Sequence, residues 1–161
     1  PRLAASIALG LADVHLGLGD PQAAVNDLLP LLDAPAADVA PEIYAGAWRR
    51  LAGARRRLGD YATALDNLQT ARQALASPAV AGIALAPTEA GQPPATMAPM
   101  AEAAEREAWT IELNMAQVLF DMRGTQGQRA RAQAEQVLRA LDRRRYPELA
   151  AETRNLLGGM A

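Results

Sequence analysis

The chain has 161 residues, of which 50% are hydrophobic and only 4% are aromatic. A chain of this length can form one domain and bury about two-thirds of the surface that its unfolded form exposes. Its high Ala content favours closely packed helices, and the shortage of aromatic residues argues against an all-β sandwich or barrel. We therefore expect an all-α fold that forms a single domain over residues 1–161.

Composition also argues against several kinds of chemistry. Cys is absent, which removes disulfides, thiol nucleophiles and thiolate metal sites, and the only His is His15. The net charge of -2 disfavours a nucleic-acid or anionic-membrane partner, and no apolar run is long enough to span a bilayer. Without a phosphate-binding loop or a catalytic set of side chains, we expect no enzyme, no cofactor and no metal. Because the chain begins at Pro1 without an initiator Met, we expect a fragment of a longer protein.

The sequence Leu-Gly-Asp occurs twice, beginning at Leu18 and at Leu58. Apolar residues flank each copy with a period near 3.6, which indicates helices. In both copies Gly is placed to end a helix in the left-handed conformation, and Asp is placed to cap the helix that follows. Each copy therefore predicts a helix, a tight turn and an antiparallel helix. Pro30 lies inside the second helix, which we expect to kink or end near Leu29.

The rest of the chain contains a Pro-rich insertion and three further helices. The insertion is either a flexible connection or a source of a lid, Val80–Leu85, over a groove. Helical periodicity then predicts a helix ending near Arg123, another from about Gln126 to Leu141, and a last one from Pro147 to about Leu157. The expected units are repeat 1 at about 3–34, repeat 2 at about 41–76, the insertion at 77–98, a degenerate repeat 3 at about 99–142, and an extra or capping helix at 147–158.

Apolar and small residues of the second hairpin recur at a characteristic spacing: Trp48, Leu51, Ala52, Gly59, Tyr61, Ala64, Leu68 and Ala71. This pattern resembles the tetratricopeptide repeat, a helical-hairpin family. The first hairpin matches less completely, at Leu11, Ala12, Gly19, Ala24, Leu28 and Leu31. The resemblance implies a right-handed superhelix of antiparallel helical hairpins, a TPR-like α-solenoid. His15 stands where the family packs an aromatic side chain, so we expect a packing role for it. The 40-residue period resembles that of large bacterial transcription activators and signalling scaffolds.

In this family the first helices of the hairpins line a concave groove that holds a peptide or helix of a partner. The resemblance places the following residues in that groove or at its rim: Leu9, Asp13, Arg49, Arg50, Gly53 and Arg56. Guanidinium groups suit bidentate capture of carboxylates, which favours an acidic peptide. The alternative is a solvated basic face whose Arg side chains pair with Asp60 or Asp66. Members that bind chaperone tails have Lys and Asn at these sites, so we do not expect chaperone-tail binding.

The resemblance implies a non-catalytic protein–protein interaction scaffold, cytoplasmic or periplasmic, that can also form homo-oligomers. Two alternatives remain open. One is a regulatory or oligomerisation segment of a bacterial transcription or signalling regulator, which would make contact through the open ends of the repeat array. The other is a periplasmic scaffold in polysaccharide export. No nucleic acid and no membrane is expected as a partner of this segment.

Overall fold

A computed structural model describes residues 2–33, 39–76, 98–122, 126–141 and 145–160. Within these ranges all regular structure is helical, which confirms the expected all-α class. The helices are α1 (Arg2–Leu18), α2 (Pro21–Leu32), α3 (Pro41–Arg57), α4 (Tyr61–Leu75), α5 (Ala98–Asp121), α6 (Gly127–Ala140) and α7 (Pro147–Gly159). The Pro-rich insertion, including Val80–Leu85, lies outside the described residues apart from its last position.

The two Leu-Gly-Asp sequences form the turns of two helical hairpins, as their residue types predict. Gly19 and Gly59 have φ angles of 81° and 82°, which L side chains adopt only at a cost. The side chains of Asp20 and Asp60 each accept a hydrogen bond from the amide three residues further on, at 2.9 Å and 3.3 Å. These capping bonds satisfy amides that the first turn of a helix leaves unpaired. The sequence therefore determines both turns locally.

One of the two expectations for Pro30, that α2 ends near Leu29, is wrong. Helix α2 does not end near Leu29 but continues through Pro30 to Leu32. Pro30 removes one backbone donor, yet Leu28 and Leu32 on either side of it are buried in the core. The Asp33 amide also donates to the carbonyl of Leu29 at 2.9 Å, which closes the last turn. Burial of the apolar side chains thus outweighs the loss of one hydrogen bond near the helix end.

The later helices lie close to their predicted positions. Helix α5 ends at Asp121, and α6 begins and ends one residue inside the predicted range. Helix α7 begins at Pro147 as expected but extends two residues beyond the predicted end near Leu157, through Gly158 and Gly159. Neither glycine has a φ angle in the left-handed region, so neither acts as a left-handed cap.

The core consists of three clusters along the chain, each formed where neighbouring helices meet. The first joins α1, α2 and α3 through Ala12, Ala24, Val25, Leu28, Leu32, Ala47, Leu51 and Ala54. The second joins α3, α4 and α5 through Ala45, Ala52, Ala64, Leu68, Ala71, Ile111, Met115 and Val118. The third joins α5 to the α7 region through Leu113, Leu141, Tyr146, Leu149 and Ala150. Helix α3 therefore belongs to two clusters, whereas α1 belongs to one.

Candidate functional site

The predicted groove residues lie mainly on α3, which sits between α1 and α5. Helix α1 packs on α3, α3 on α5, and α5 on α7, so these helices lie side by side. Arg49, Arg50, Gly53 and Arg56 follow one another at helical spacing and share one face of α3. We call these residues the α3 face. Asp13 reaches the same surface from α1, where it is hydrogen-bonded to Arg50.

Arg50 connects α3 to α1. Its Nε atom donates to Oδ1 of Asp13 at 2.8 Å, and its Nη2 atom donates to Oδ2 at 2.9 Å. This is the parallel two-bond geometry that a guanidinium forms best with a carboxylate. Nη1 donates to the carbonyl of Gly46 at 3.3 Å, and a Cβ atom built on Gly46 would lie 3.1 Å from Nη1. Gly46 therefore leaves the space in which the Arg50 side chain lies against its own helix.

Two other arginines connect α3 to α5. Nε of Arg49 lies 2.5 Å from Oε1 of Glu107, and the two side chains are only 21% and 18% exposed. Nε of Arg56 donates to Oδ2 of Asp121 at 2.6 Å, and its Nη1 donates to Oε1 of Gln117 at 2.8 Å. Charge-assisted bonds of this kind are stronger than neutral ones, particularly where solvent access is reduced. Both arginines are therefore held in place by groups of the neighbouring helix.

The two alternatives for the arginines can now be compared with the structure. Arg49, Arg50 and Arg56 pair with carboxylates on α1 and α5, and not with Asp60 or Asp66. Asp60 lies 3.9 Å from a different arginine, Arg55. The cations of the α3 face are thus largely neutralised within the chain. This lowers the electrostatic attraction that the α3 face would exert on an acidic peptide.

The remaining predicted residues occupy different environments. Leu9 is half-buried and packs against the first core cluster. Gly53 lies within α3, one turn before its end at Arg57, and a Cβ atom built on it would meet nothing within 4 Å. His15 is 2.6 Å from Oδ2 of Asp27 through Nδ1, and it joins α1 to α2. His15 is therefore part of a contact between helices, in line with the packing role expected for it.

A surface that the sequence did not indicate lies on the side of α1 that faces away from α2 and α3. Its large apolar side chains are strongly exposed: Leu3 75%, Ile7 54%, Leu11 46%, Val14 56% and Leu18 77%. Their spacing of three or four residues places them on one helical stripe. We call this stripe the outer face of α1. The spacing is visible in the sequence, but α1 also carries apolar residues on its inner side, and the sequence does not indicate which of the two sides is covered.

A solvent-exposed cleft of about 330 Å³ lies between α4, α5 and α6 and is partly polar. Glu112 at its centre accepts hydrogen bonds from Gln133 at 2.6 Å and from Arg72 at 3.4 Å. Trp109 and Val137 provide apolar walls. Arg72, Glu112 and Gln133 are thus bonded to one another, and the residues that line the cleft include no nucleophile beside a base.

The junction before α7 is held by a network around Tyr146, which is 3% exposed. Its hydroxyl donates to Oε2 of Glu105 at 3.1 Å, and Nη1 of Arg145 lies 2.8 Å from the same oxygen. Burial raises the pKa of Tyr146 above its ordinary value of 10.0. The hydrogen bond to Glu105 and the nearby carboxylates raise it further, and Arg145 partly opposes them.

Searches for other kinds of site gave negative results. Among the described residues, no group of three or more His, Asp or Glu side chains could hold a metal ion. No helix in the same part of the chain combines the length and hydropathy needed to cross a membrane. Comparison of the chain with protein-family models, curated proteins and solved structures finds no match. Function must therefore be argued from the surfaces described above.

Proposed function

We propose that this chain is a non-catalytic scaffold that binds a peptide or helix of a partner protein across the α3 face. In this proposal the hairpins form a right-handed superhelix of the tetratricopeptide type, whose first helices line the binding groove. Support comes from the side-by-side packing of α1, α3, α5 and α7, which forms a continuous surface of helices. Such repeat arrays provide extended binding surfaces whose shape is fixed by contacts between neighbours.

The observation that carries the proposal is the open space at Gly53. Gly in the middle of a helix destabilises it by about 0.5–1 kcal/mol relative to Ala, so its presence there calls for a reason. No neighbouring atom supplies one, because a Cβ atom at Gly53 would meet nothing within 4 Å. A partner's backbone could approach α3 closely at this point. Gly53 would then be the floor of the site, with arginines on both sides.

The arginines beside Gly53 contribute orientation. Their intramolecular bonds fix the guanidinium planes in advance, which reduces the entropy lost when a partner binds. Some of their donors remain available, since Nη1 and Nη2 of Arg49 and Nη2 of Arg56 have no acceptor among the described residues. A peptide with carboxylate or carbonyl oxygens at matching positions would accept these bonds.

The test is a peptide-display selection on the intact chain, followed by affinity measurements with a Gly53→Gln variant. This substitution fills the proposed floor of the site without removing any ion pair, whereas Arg→Glu changes would also break contacts to Asp13, Glu107 or Asp121. We expect selected peptides to bind Gly53→Gln at least about tenfold more weakly, a loss of about 1.4 kcal/mol. Gly158→Gln is the matched control, because Gly158 also has open space and lies on α7.

Two results would overturn the proposal. One is a selection that enriches no peptide above background. The other is a set of peptides that bind the Gly53→Gln and Gly158→Gln variants equally well, since their site would then lie elsewhere. Either comparison requires that both variants melt at or above the temperature of the wild type, since Gln is a better helix former than Gly.

A further inference from the structure

Helix α1 carries apolar residues for two buried faces, but the chain covers only one of them. Ala5 and Ala12 on the inner side are 3% and 0% exposed, and Leu9 and Leu16 pack beside them. The outer face, by contrast, leaves five large apolar side chains in solvent. A helix face lined by large apolar side chains is normally packed against another element. The outer face of α1 therefore lacks a covering element among the described residues.

The size of this face is that of an interaction surface. The five side chains expose on the order of 600 Å², which equals the largest apolar patches on monomeric proteins. Gly10 and Gly17 lie along the edge of the stripe, and a Cβ atom at either would meet nothing within 4 Å. Contacts among the described residues thus give no reason for Gly10 in the middle of α1 or for Gly17 near its end. Close approach of another helix would provide one.

The spacing of the stripe is symmetric about a point between Gly10 and Leu11. Leu3 and Leu18 are equally far from this point, and so are Ile7 and Val14. An antiparallel second copy related by a two-fold axis through it would place Leu3 level with Leu18 of that copy and Ile7 level with its Val14. Gly10 and Leu11, one on each side of the centre line, would each meet their own counterpart. The two Leu11 side chains would fill one side of the interface, and the two Gly10 residues would let the helices approach closely on the other side.

We propose that a second copy of this chain covers the outer face of α1 and forms a two-fold symmetric, antiparallel α1–α1 pair. Complete burial of both outer faces would remove about 1,200 Å² from solvent, which is the lower end of the range for specific interfaces. The stripe contains no ionised side chain, so two copies meet without repulsion and a charged partner finds no complementary group. The nearest carboxylate on α1, Asp13, is already bound to Arg50.

The experiment is sedimentation velocity of the full chain over a concentration series, with variants chosen from the proposed pairing. In the wild-type dimer Ile7 lies level with Val14 of the second copy. Ile7→Glu alone and Val14→Arg alone place charges against apolar side chains, so each variant should raise the dimer dissociation constant at least about tenfold. Mixing the two variants should restore dimerisation, because the mixed pair places Glu and Arg at the same level. A parallel pair would instead bring Ile7 next to Ile7 and would give no such rescue.

Leu58→Glu is the matched control, because Leu58 is 44% exposed, close to Leu11 at 46%, and occupies the position in the second hairpin that Leu18 has in the first. It should leave the dimer unchanged. A wild-type chain that stays monomeric up to about 1 mM overturns the proposal and assigns the outer face to a different protein or another segment. Dimerisation that survives Ile7→Glu, or that the mixture does not restore, overturns the proposed pairing. Peptide binding at the α3 face is measured independently, since none of these substitutions touches it.

Discussion

The first and the last helix, α1 and α7, differ in the kind of side chain that they expose to solvent. At one end, α1 exposes Leu3, Ile7, Leu11, Val14 and Leu18. At the other end, α7 buries Leu149, Ala150 and Thr153 and exposes mainly small, polar or charged residues, among them Glu148, Glu152, Arg154 and Asn155. A polar outer face is typical of a helix that ends a stack, because nothing further packs against it. The outer side of α7 is therefore polar, whereas the outer face of α1 is apolar and has no cover among the described residues.

The largest effect that tests this comparison comes from truncating one leucine at each end. Leu149 is 7% exposed on α7, and Leu11 is 46% exposed on α1. Leu149→Ala should lower the free energy of unfolding by about 2–4 kcal/mol, because it leaves a cavity in the third core cluster. Leu11→Ala should change it by less than about 0.5 kcal/mol, provided that chemical denaturation is measured on dilute, monomeric protein. Equal losses would mean that the outer face of α1 is already covered within the chain.

A smaller effect tests whether the first hairpin, α1 and α2, is as stable as the second hairpin, α3 and α4. Gly19 and Gly59 both have positive φ angles, and neither would bring a Cβ atom within 4 Å of a neighbour. The cost of Ala at these sites is therefore one of backbone strain alone, about 1–2 kcal/mol at each turn. Both variants should melt at a lower temperature by similar amounts. A much smaller loss for Gly19→Ala would show that the first hairpin is already partly unfolded when its outer face is bare.

The next effect concerns the end at α7. Tyr146→Phe removes the hydrogen bond to Glu105 and should cost about 1 kcal/mol at pH 7, as measured by urea denaturation. Because the pKa of Tyr146 is raised by folding, the folded state holds the phenol proton more tightly than the unfolded state. The resulting stability is fully present below the ordinary pKa of 10.0 and is lost as pH rises through the higher folded value.

The Tyr146→Phe variant should therefore lack this alkaline loss of stability, and the difference from the wild type should shrink as the pH rises above about 10. Tyr61→Phe is the control, because the Tyr61 hydroxyl forms no hydrogen bond with the described residues. If the two variants show the same pH dependence, the network at Tyr146 does not stabilise the α7 end.

The sequence predicted the local features of this fold well. Gly19, Asp20 and their counterparts act within a few residues of chain, so the two turns and the ends of most helices could be read from residue types. The predicted end of α2 near Leu29 is wrong because the burial of Leu28 and Leu32, a property of the packed core, outweighs the local preference of Pro30. Local rules fail where tertiary contacts decide.

The candidate sites were harder to predict, because they depend on contacts between distant parts of the chain. Arg49 and Glu107 are separated by 58 residues, and Arg56 and Asp121 by 65, so sequence spacing alone could not show that they pair. The outer face of α1 is different, since its spacing is regular and readable. The sequence does not show which apolar side of α1 is covered by the rest of the chain. That side is determined by the positions of α2 and α3.

The smallest predicted effect separates folding from association at α1. Gly10 and Gly53 both lie within helices and have open space around them, so Ala at either site should raise the free energy of unfolding of the monomer by about 0.5–1 kcal/mol. In the proposed dimer, however, Gly10 meets its own counterpart at the two-fold axis, where two added methyl groups would push the helices apart. Gly10→Ala should therefore stabilise the monomer and weaken the dimer, whereas Gly53→Ala should only stabilise. Thermal melting of dilute protein and sedimentation at higher concentration measure the two quantities separately. A Gly10→Ala chain that dimerises as well as the wild type would place the axis elsewhere on α1.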